Sequence, residues 1–219
     1  SEMCIRDRTV TEQRNEKLAG KMLKSLAKRH FDAYYCATAD EAIKKVMELM
    51  PGGSTVSWGG SMTIRDMGLV KAMHESGKYN LLDRDLAATP QEAGEIYMKA
   101  FTADYYLSSA NAISEDGVIV NIDGNGNRVA AITFGPKHVI FVIGMNKVCQ
   151  DVDAALKRAR STASPINNMR FPDKKTPCHI DGACHNCNSE DCICNYIHFL
   201  RNSPRGKHTV ILVGEDLGY

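Results

Sequence analysis

Pro51-Gly52-Gly53-Ser54-Thr55-Val56-Ser57-Trp58-Gly59-Gly60-Ser61-Met62-Thr63-Ile64-Arg65-Asp66 decides the fold. Pro51-Gly52-Gly53 ends a preceding helix, since a proline followed by two glycines does not propagate one. Ser54 to Trp58 then reads as a short strand. Two glycines follow at once, and Ser61 or Thr63 is placed to cap a new helix with its hydroxyl. Helix, strand, glycine turn and helix in direct succession are βα architecture, in which ligands gather at the carboxyl ends of strands.

The same alternation extends in both directions. Upstream, Thr11 to His30 reads as a helix with a partly apolar stripe of Leu18, Met22, Leu26 and Arg29, followed by a strand over Phe31 to Cys36. Asp40 is placed to cap a second helix reaching Met50. Downstream, Tyr79–Asp83 and Ala103–Ser109 read as strands separated by a helix from Pro90 to Phe101. His138-Val139-Ile140-Phe141-Val142-Ile143-Gly144 is a central strand, with a helix from about Asp151 to Ser164 behind it, and Val210–Val213 returns to the sheet. The glycines around Val118–Ile122 predict turns, and Val129–Thr133 is placed to return beside that strand as a hairpin. The fold class is α/β, a mostly parallel sheet with flanking helices. Residues 1–10 read as a non-native or disordered tail before a single domain over 11–219, with a Cys-rich insertion at about 177–195.

The 219 residues, 43% hydrophobic, enclose one substantial core. Lys and Arg number 27 against 26 acids, a formal +1, and the basic residues are scattered, so no nucleic-acid partner is implied. No apolar run approaches the roughly 20 residues of a membrane span, and a reducing cytoplasmic setting suits the cysteines better than a secreted disulfide scaffold.

Two polar regions carry candidate chemistry. Gly59, Gly60, Ser61 and Thr63 offer a tight backbone approach and a helix start to an anion; the plain alternative is a capped glycine turn. Asn111 to Arg128 gathers Asn111, Glu115, Asp116, Asn121, Asp123, Asn127 and Arg128 near strand ends, where Arg128 suits a carboxylate and Glu115 a nucleophile or proton carrier. Asn146 and Lys147 fall just beyond the central strand. There Lys147 either neutralises a phosphate or carboxylate or faces solvent. Cys36 reads as a packing thiol, and Cys149 either as a thiol activated by the start of the next helix or as an ordinary buried one. The ligand class is a small carboxylated or phosphorylated metabolite. The glycine-rich dinucleotide fingerprint is absent, so NAD has no warrant.

The third region is Cys178-His179-Ile180-Asp181-Gly182-Ala183-Cys184-His185-Asn186-Cys187-Asn188-Ser189-Glu190-Asp191-Cys192-Ile193-Cys194, five of the chain's eight cysteines in one tract. Soft thiolates at this density suit an iron–sulfur cluster or zinc; the alternatives are reduced structural cysteines, disulfides or redox chemistry. Cys178, Cys184, Cys187 and Cys194 are the preferred metal ligands. Cys192 is left as a fifth ligand, a spare thiol or a disulfide partner, and His179 or His185 can replace one thiolate. The CX5CX2CX4CXC spacing matches neither a two-cluster ferredoxin nor an ordinary zinc ribbon.

Taken together, Trp58-Gly59-Gly60-Ser61, Asn111-Ala112-Ile113-Ser114-Glu115-Asp116-Gly117, Gly126-Asn127-Arg128, Phe134-Gly135-Pro136-Lys137 and Gly144-Met145-Asn146-Lys147 resemble the LUD-domain, or lactate-utilisation-protein, family from about Thr11 onward. The resemblance implies a fold shared with sugar-phosphate isomerases, CoA transferases and formyltetrahydrofolate cyclo-ligase. The family also includes components of multi-protein L-lactate oxidation systems that contain iron–sulfur proteins, and this chain lacks the ferredoxin-type cysteine repeats of the iron–sulfur-rich partner. Ser114-Glu115-Asp116-Gly117 is similar to the glutamate turn of CoA transferases, which by analogy makes Glu115 a nucleophile. The Cys-rich tract resembles an extension of small LUD proteins; where an arginine commonly precedes the last isoleucine, this chain has Cys192. Three functions follow as expectations: a metabolite-binding component of an oxidation or electron-transfer system, a non-catalytic assembly subunit, or an acyl/CoA transferase using Glu115.

Overall fold

The computed structural model describes residues 9–204 and 206–219. Its largest element is a six-stranded sheet in which every neighbouring pair is parallel. The strands are β1 (Asp32–Cys36), β2 (Thr55–Trp58), β3 (Asn80–Leu82), β4 (Tyr105–Ser108), β7 (His138–Gly144) and β10 (His208–Val213), in the order β1-β10-β7-β4-β2-β3. β7 is buried from Val139 to Gly144. An unbroken apolar run is what a strand covered on both faces requires.

The alternation of side chains along β7 divides the core. Val139, Phe141 and Ile143 join Met22 and Leu26 of helix α1 (Val10–Lys28) on one face. Ile140 and Val142 join Ala42 and Val46 of α2 (Ala39–Leu49), Ile64 of α3 (Met62–Asp66), and Leu69 and Met73 of α4 (Leu69–Ser76) on the other. Helix α5 (Pro90–Ala100) precedes β4, as its Thr89 cap and N-terminal proline dictate.

A second sheet departs from the expectation of a single one. It comprises β5 (Ala112–Ser114), β6 (Ile119–Asp123), β8 (Val148–Cys149) and β9 (Tyr196–Leu200), in the order β8-β5-β6-β9, with antiparallel β5/β6 and β6/β9 pairs. Its Ala112, Val120 and Ile122 pack on Ala155 of α7 (Val152–Arg158) and on Ala159. The sheet assembles because Tyr196–Leu200, more than 70 residues downstream of β6, supplies the partner strand.

Several expectations need correction. Val129–Thr133 is not the return strand of a hairpin; Asn127–Thr133 is helix α6. The Asp123 carboxylate accepts hydrogen bonds from the backbone N–H groups of Asn125, Gly126 and Val129 at 3.2, 3.3 and 3.0 Å, which starts a helix and stops a strand. Thr38, not Asp40, caps α2, its hydroxyl 3.2 Å from the Glu41 N–H. Thr9 and Glu12 form a reciprocal capping box, so residues 9 and 10 begin α1 and are no tail; the rest of the expected tail, residues 1–8, lies outside the described residues. The helix capped by Asp151 is interrupted by a π-helical stretch, Ala159–Ala163, and continues as α8 (Ser164–Asn168). The Cys-rich tract opens on α9 (Pro177–Asp181) and runs without regular structure to β9. Among the described residues no helix is long and apolar enough to cross a membrane.

Candidate anion-binding site

Because β2, β3, β4, β7 and β10 are parallel, their carboxyl ends share one edge, and the segments that follow them wall a cleft of about 420 Å³. Gly60–Thr63 follow β2, Arg84 follows β3, Ser109 and Asn111 follow β4, Lys147 follows β7, and Tyr219 ends the chain beyond β10. The loop Asp123–Arg128 forms the facing wall. Among the residues lining the cleft are five cations, Arg84, Arg128, Lys147, Arg170 and Lys174, and one carboxylate, Asp123, which is already spent on the start of α6.

Lys147 is the centre of this site. It is 2% exposed, and its Nζ donates to Thr63 Oγ1 at 2.8 Å and to Ser109 Oγ at 3.2 Å. The Thr63 hydroxyl in turn donates to the Leu217 carbonyl at 3.3 Å, so its oxygen lone pairs face the amine. Among the described residues no carboxylate is within ion-pair distance of Lys147. Burial, and then the neighbouring Arg158 and Arg128 guanidinium groups, bring its pKa down to about 7. Gly218 closes over the amine at φ 58°, where a Cβ would lie 2.6 Å from Thr63 Oγ1 and 3.4 Å from Lys147 Nζ.

Arg128 is held as a wall. Its guanidinium donates to Asn121 Oδ1 at 2.7 Å, to Asn111 Oδ1 at 3.3 Å and to the Ile122 carbonyl at 2.5 Å. Asn111 Oδ1 also accepts the Ile122 N–H at 2.8 Å, which ties the loop after β4 to β6. With three N–H groups committed, the Arg128 charge is fixed in place and only part of its fork remains for a ligand. The expected helix-end contribution from Gly59-Gly60-Ser61 shrinks as well. Ser61 does cap α3, but α3 is five residues long and its dipole is correspondingly small.

The structure therefore brings Gly60, Ser61, Thr63, Asn111, Asp123, Asn127, Arg128 and Lys147 together. Gly59 and Asn121 stand behind the wall, against Arg128. Asn146 holds the chain end, donating to the Gly218 carbonyl at 3.2 Å and accepting the Leu217 N–H at 3.2 Å. Glu115 and Asp116 are not brought to the cleft. Glu115 pairs with Lys21 of α1 at 2.6 Å, and Asp116 is engaged by Ser114 and Arg29, which hold its carboxyl below the usual range. Sequence reasoning does not single out Arg84, Ser109, Arg170, Lys174 or Tyr219; the one signal it holds for them is that Arg84 follows the expected strand Tyr79–Asp83 and Ser109 ends the expected strand Ala103–Ser109.

The five tract cysteines line a second cavity, of about 140 Å³, with Ser164, Pro165 and Asn168 of α8 as its floor. All seven described cysteines are free thiols. Cys178 Sγ accepts from Asn168 Nδ2 at 3.5 Å and lies 3.3 Å from Thr176 Oγ1, and the Cys194 N–H donates to Cys192 Sγ at 3.4 Å. Burial, reinforced by the Cys192 and Cys184 sulfurs nearby, pushes the Cys194 thiol up to about 11. Among the described residues no three His, Cys, Asp or Glu side chains converge closely enough to hold a single ion. His185 faces Asp181 at 2.7 Å, and the buried Nδ1 of His179 has no partner.

A sequence model of the LUD domain matches residues 19–213. Among solved structures, a DUF162 family protein from Deinococcus radiodurans superposes with a TM-score of 0.54 at 13% identity, covering 91% of this chain and 98% of that one. That similarity establishes a shared fold. Ribose 5-phosphate isomerase A from Neisseria gonorrhoeae aligns over 53% of this chain and 56% of its own, at 14% identity and a TM-score of 0.35, too low to bear on the fold. No curated protein matches the chain.

Proposed function

The chain belongs to the LUD domain family, and on that footing we propose that it binds a small carboxylated or phosphorylated metabolite at the carboxyl edge of its parallel sheet. The observation that carries this reading is Lys147. A buried ammonium is costly unless a counter-charge compensates it, and here two guanidinium groups add to the cost. A bound anion supplies the missing charge. Thr63 and Ser109 orient the amine, Arg128 and Arg170 flank the ligand, and the Asp123 loop sets the width of the cleft. Within a lactate-utilisation setting the fitting ligands are short 2-hydroxy or 2-oxo acids, with Lys147 as the group that gives or takes a proton next to the carboxylate.

The test is isothermal titration of the purified full chain with pyruvate, L-lactate and inorganic phosphate, repeated on Lys147→Met. Saturable binding of at least one probe, lost in the variant, is expected. No saturable binding of any probe at millimolar concentration overturns the reading.

A second reading rests on a different observation. Strand β9 is the edge of the smaller sheet, and its Tyr196, Ile197 and Phe199 are exposed by 50, 47 and 43%. An apolar edge of this kind suits an assembly subunit that docks on a protein partner. Acyl or CoA transfer through Glu115 has no such support, since that carboxylate stands outside the cleft.

A further inference from the structure

The cavity lined by Cys178, Cys184, Cys187, Cys192 and Cys194 lies beside the anion cleft, and its construction is specific. The sulfurs arrive from three directions: Cys178 from α9, Cys184 and Cys187 from the loop after Gly182, and Cys192 and Cys194 from the turn before β9. Asn168, fully buried in α8, directs its amide N–H toward Cys178 Sγ at 3.5 Å, while its Oδ1 has no partner. The Cys194 N–H likewise reaches Cys192 Sγ at 3.4 Å, so two of the sulfurs carry the kind of N–H contact that orients a metal ligand. Between residues 183 and 194 the described backbone makes one internal backbone–backbone hydrogen bond, Cys192 N–H to the Ser189 carbonyl at 2.9 Å. Side chains supply its other ties, with the Lys175 N–H donating to the Asp191 carboxylate at 2.9 Å and Ser189 Oγ to the Lys175 carbonyl at 3.2 Å; a loop of this kind gains order when soft ligands turned to one space share a metal.

The size of that space distinguishes between metals. Four thiolates around one zinc each stand about 2.3 Å from the ion, so the sulfurs nearly touch. Here the five cysteines line a space of about 140 Å³, close to the roughly 150 Å³ of an engineered cavity that admits benzene and larger than one ion fills. We propose that the tract holds a polynuclear iron–sulfur centre, ligated by four of these five cysteines. Ile122, Cys192 and Ile193 line both this cavity and the anion cleft. Asn195 Nδ2 also donates to the Gly124 carbonyl at 3.0 Å, tying the end of the tract to the loop that walls the cleft. The centre is thereby one layer of side chains from the anion cleft.

The experiment is iron, zinc and acid-labile sulfide analysis of the full chain purified anaerobically and then reconstituted with ferrous iron and sulfide, with a visible spectrum before and after dithionite. Iron and sulfide in equal, stoichiometric amounts, with a visible band that dithionite bleaches, are expected. The double variant Cys184→Ser/Cys187→Ser should lose both, while its far-ultraviolet circular dichroism remains that of the parent. One zinc per chain without sulfide overturns the proposal. So does a reconstituted protein whose five tract thiols all react with a thiol reagent in the native state, or one in which they form disulfides. Metal content is measured with no metabolite present, so this outcome is independent of the anion-binding reading.

Discussion

Lys147 and Thr63 are 84 residues apart in the chain, and the amine of one rests 2.8 Å from the hydroxyl of the other beneath the last residues of the chain. That contact joins the carboxyl ends of β7 and β2. Below its lowered pKa of about 7, the amine is a positive charge inside the protein, hydrogen-bonded to hydroxyl groups but not neutralised.

Removing the charge should separate function from stability. Lys147→Met keeps the bulk of the aliphatic stem and deletes the buried ammonium, so anion affinity should fall at least tenfold while the melting temperature holds or rises. Titration calorimetry and thermal unfolding of the same preparations check both parts. A variant that loses stability and keeps its affinity assigns Lys147 a packing role.

The pH dependence of stability follows from the same residue. The folded pKa of about 7 lies below the ordinary 10.5. Between those values the unfolded chain binds the extra proton, so stability rises with pH across this window, and the cost is present in full below pH 7. Urea unfolding at pH 7 and pH 9 should show this rise in the parent and its loss in Lys147→Met.

Ligand binding should run the other way. A bound anion favours the ammonium, so affinity for a carboxylate, which does not itself titrate in this range, is greatest below pH 7 and weakens by up to about tenfold per pH unit above it. Binding should also take up a proton near pH 8, visible as a dependence of the calorimetric enthalpy on buffer ionisation. Affinity that stays flat from pH 6 to 9 contradicts the role given to Lys147.

His208 contributes to the acid limb. It is buried, with Nε2 donating to the Ile132 carbonyl at 2.9 Å and Nδ1 facing Ser203 Oγ at 2.9 Å, and burial brings its pKa from 6.5 down to about 4. The unfolded chain takes up the proton first, so stability falls as pH drops from about 6.5 toward 4. His208→Gln should flatten that slope in denaturant titrations at pH 4.5, 5.5 and 6.5, whatever it does to stability at neutral pH.

Gly59 and Glu115 form a contrasting pair. A Cβ on Gly59 would lie 2.9 Å from the Tyr106 hydroxyl and 3.3 Å from Arg128 Cδ, both part of the packed wall, so Gly59→Ala should cost about 1–3 kcal/mol and weaken anion binding. Glu115→Gln removes one partner of a surface pair with an exposed lysine and should leave anion affinity unchanged within about twofold. Loss of binding in Glu115→Gln would return that carboxylate to the site.

Much of the fold is legible in the amino-acid sequence. The glycine-flanked strand Thr55–Trp58 and the apolar run Val139–Ile143 announce parallel strands because local hydrophobic pattern sets both their length and their burial on two faces. The position of Lys147 after a strand and the density of the cysteines are equally plain, since both are properties of the chain in one dimension. Sequence alone does not say whether Lys147 faces solvent or the core. Its burial is imposed by Thr63, Ser109 and Gly218, which only the order β10-β7-β4-β2 brings together, and desolvation is a property of that surrounding volume. For the same reason Asn127–Thr133 is a helix: the Asp123 carboxylate captures its first N–H groups while β9, far along the chain, takes the place of the expected return strand. Local pattern thus determined the elements of the main parallel sheet, and long-range packing decided the second sheet, the helical state of Asn127–Thr133 and which charges are stripped of water and face the cleft.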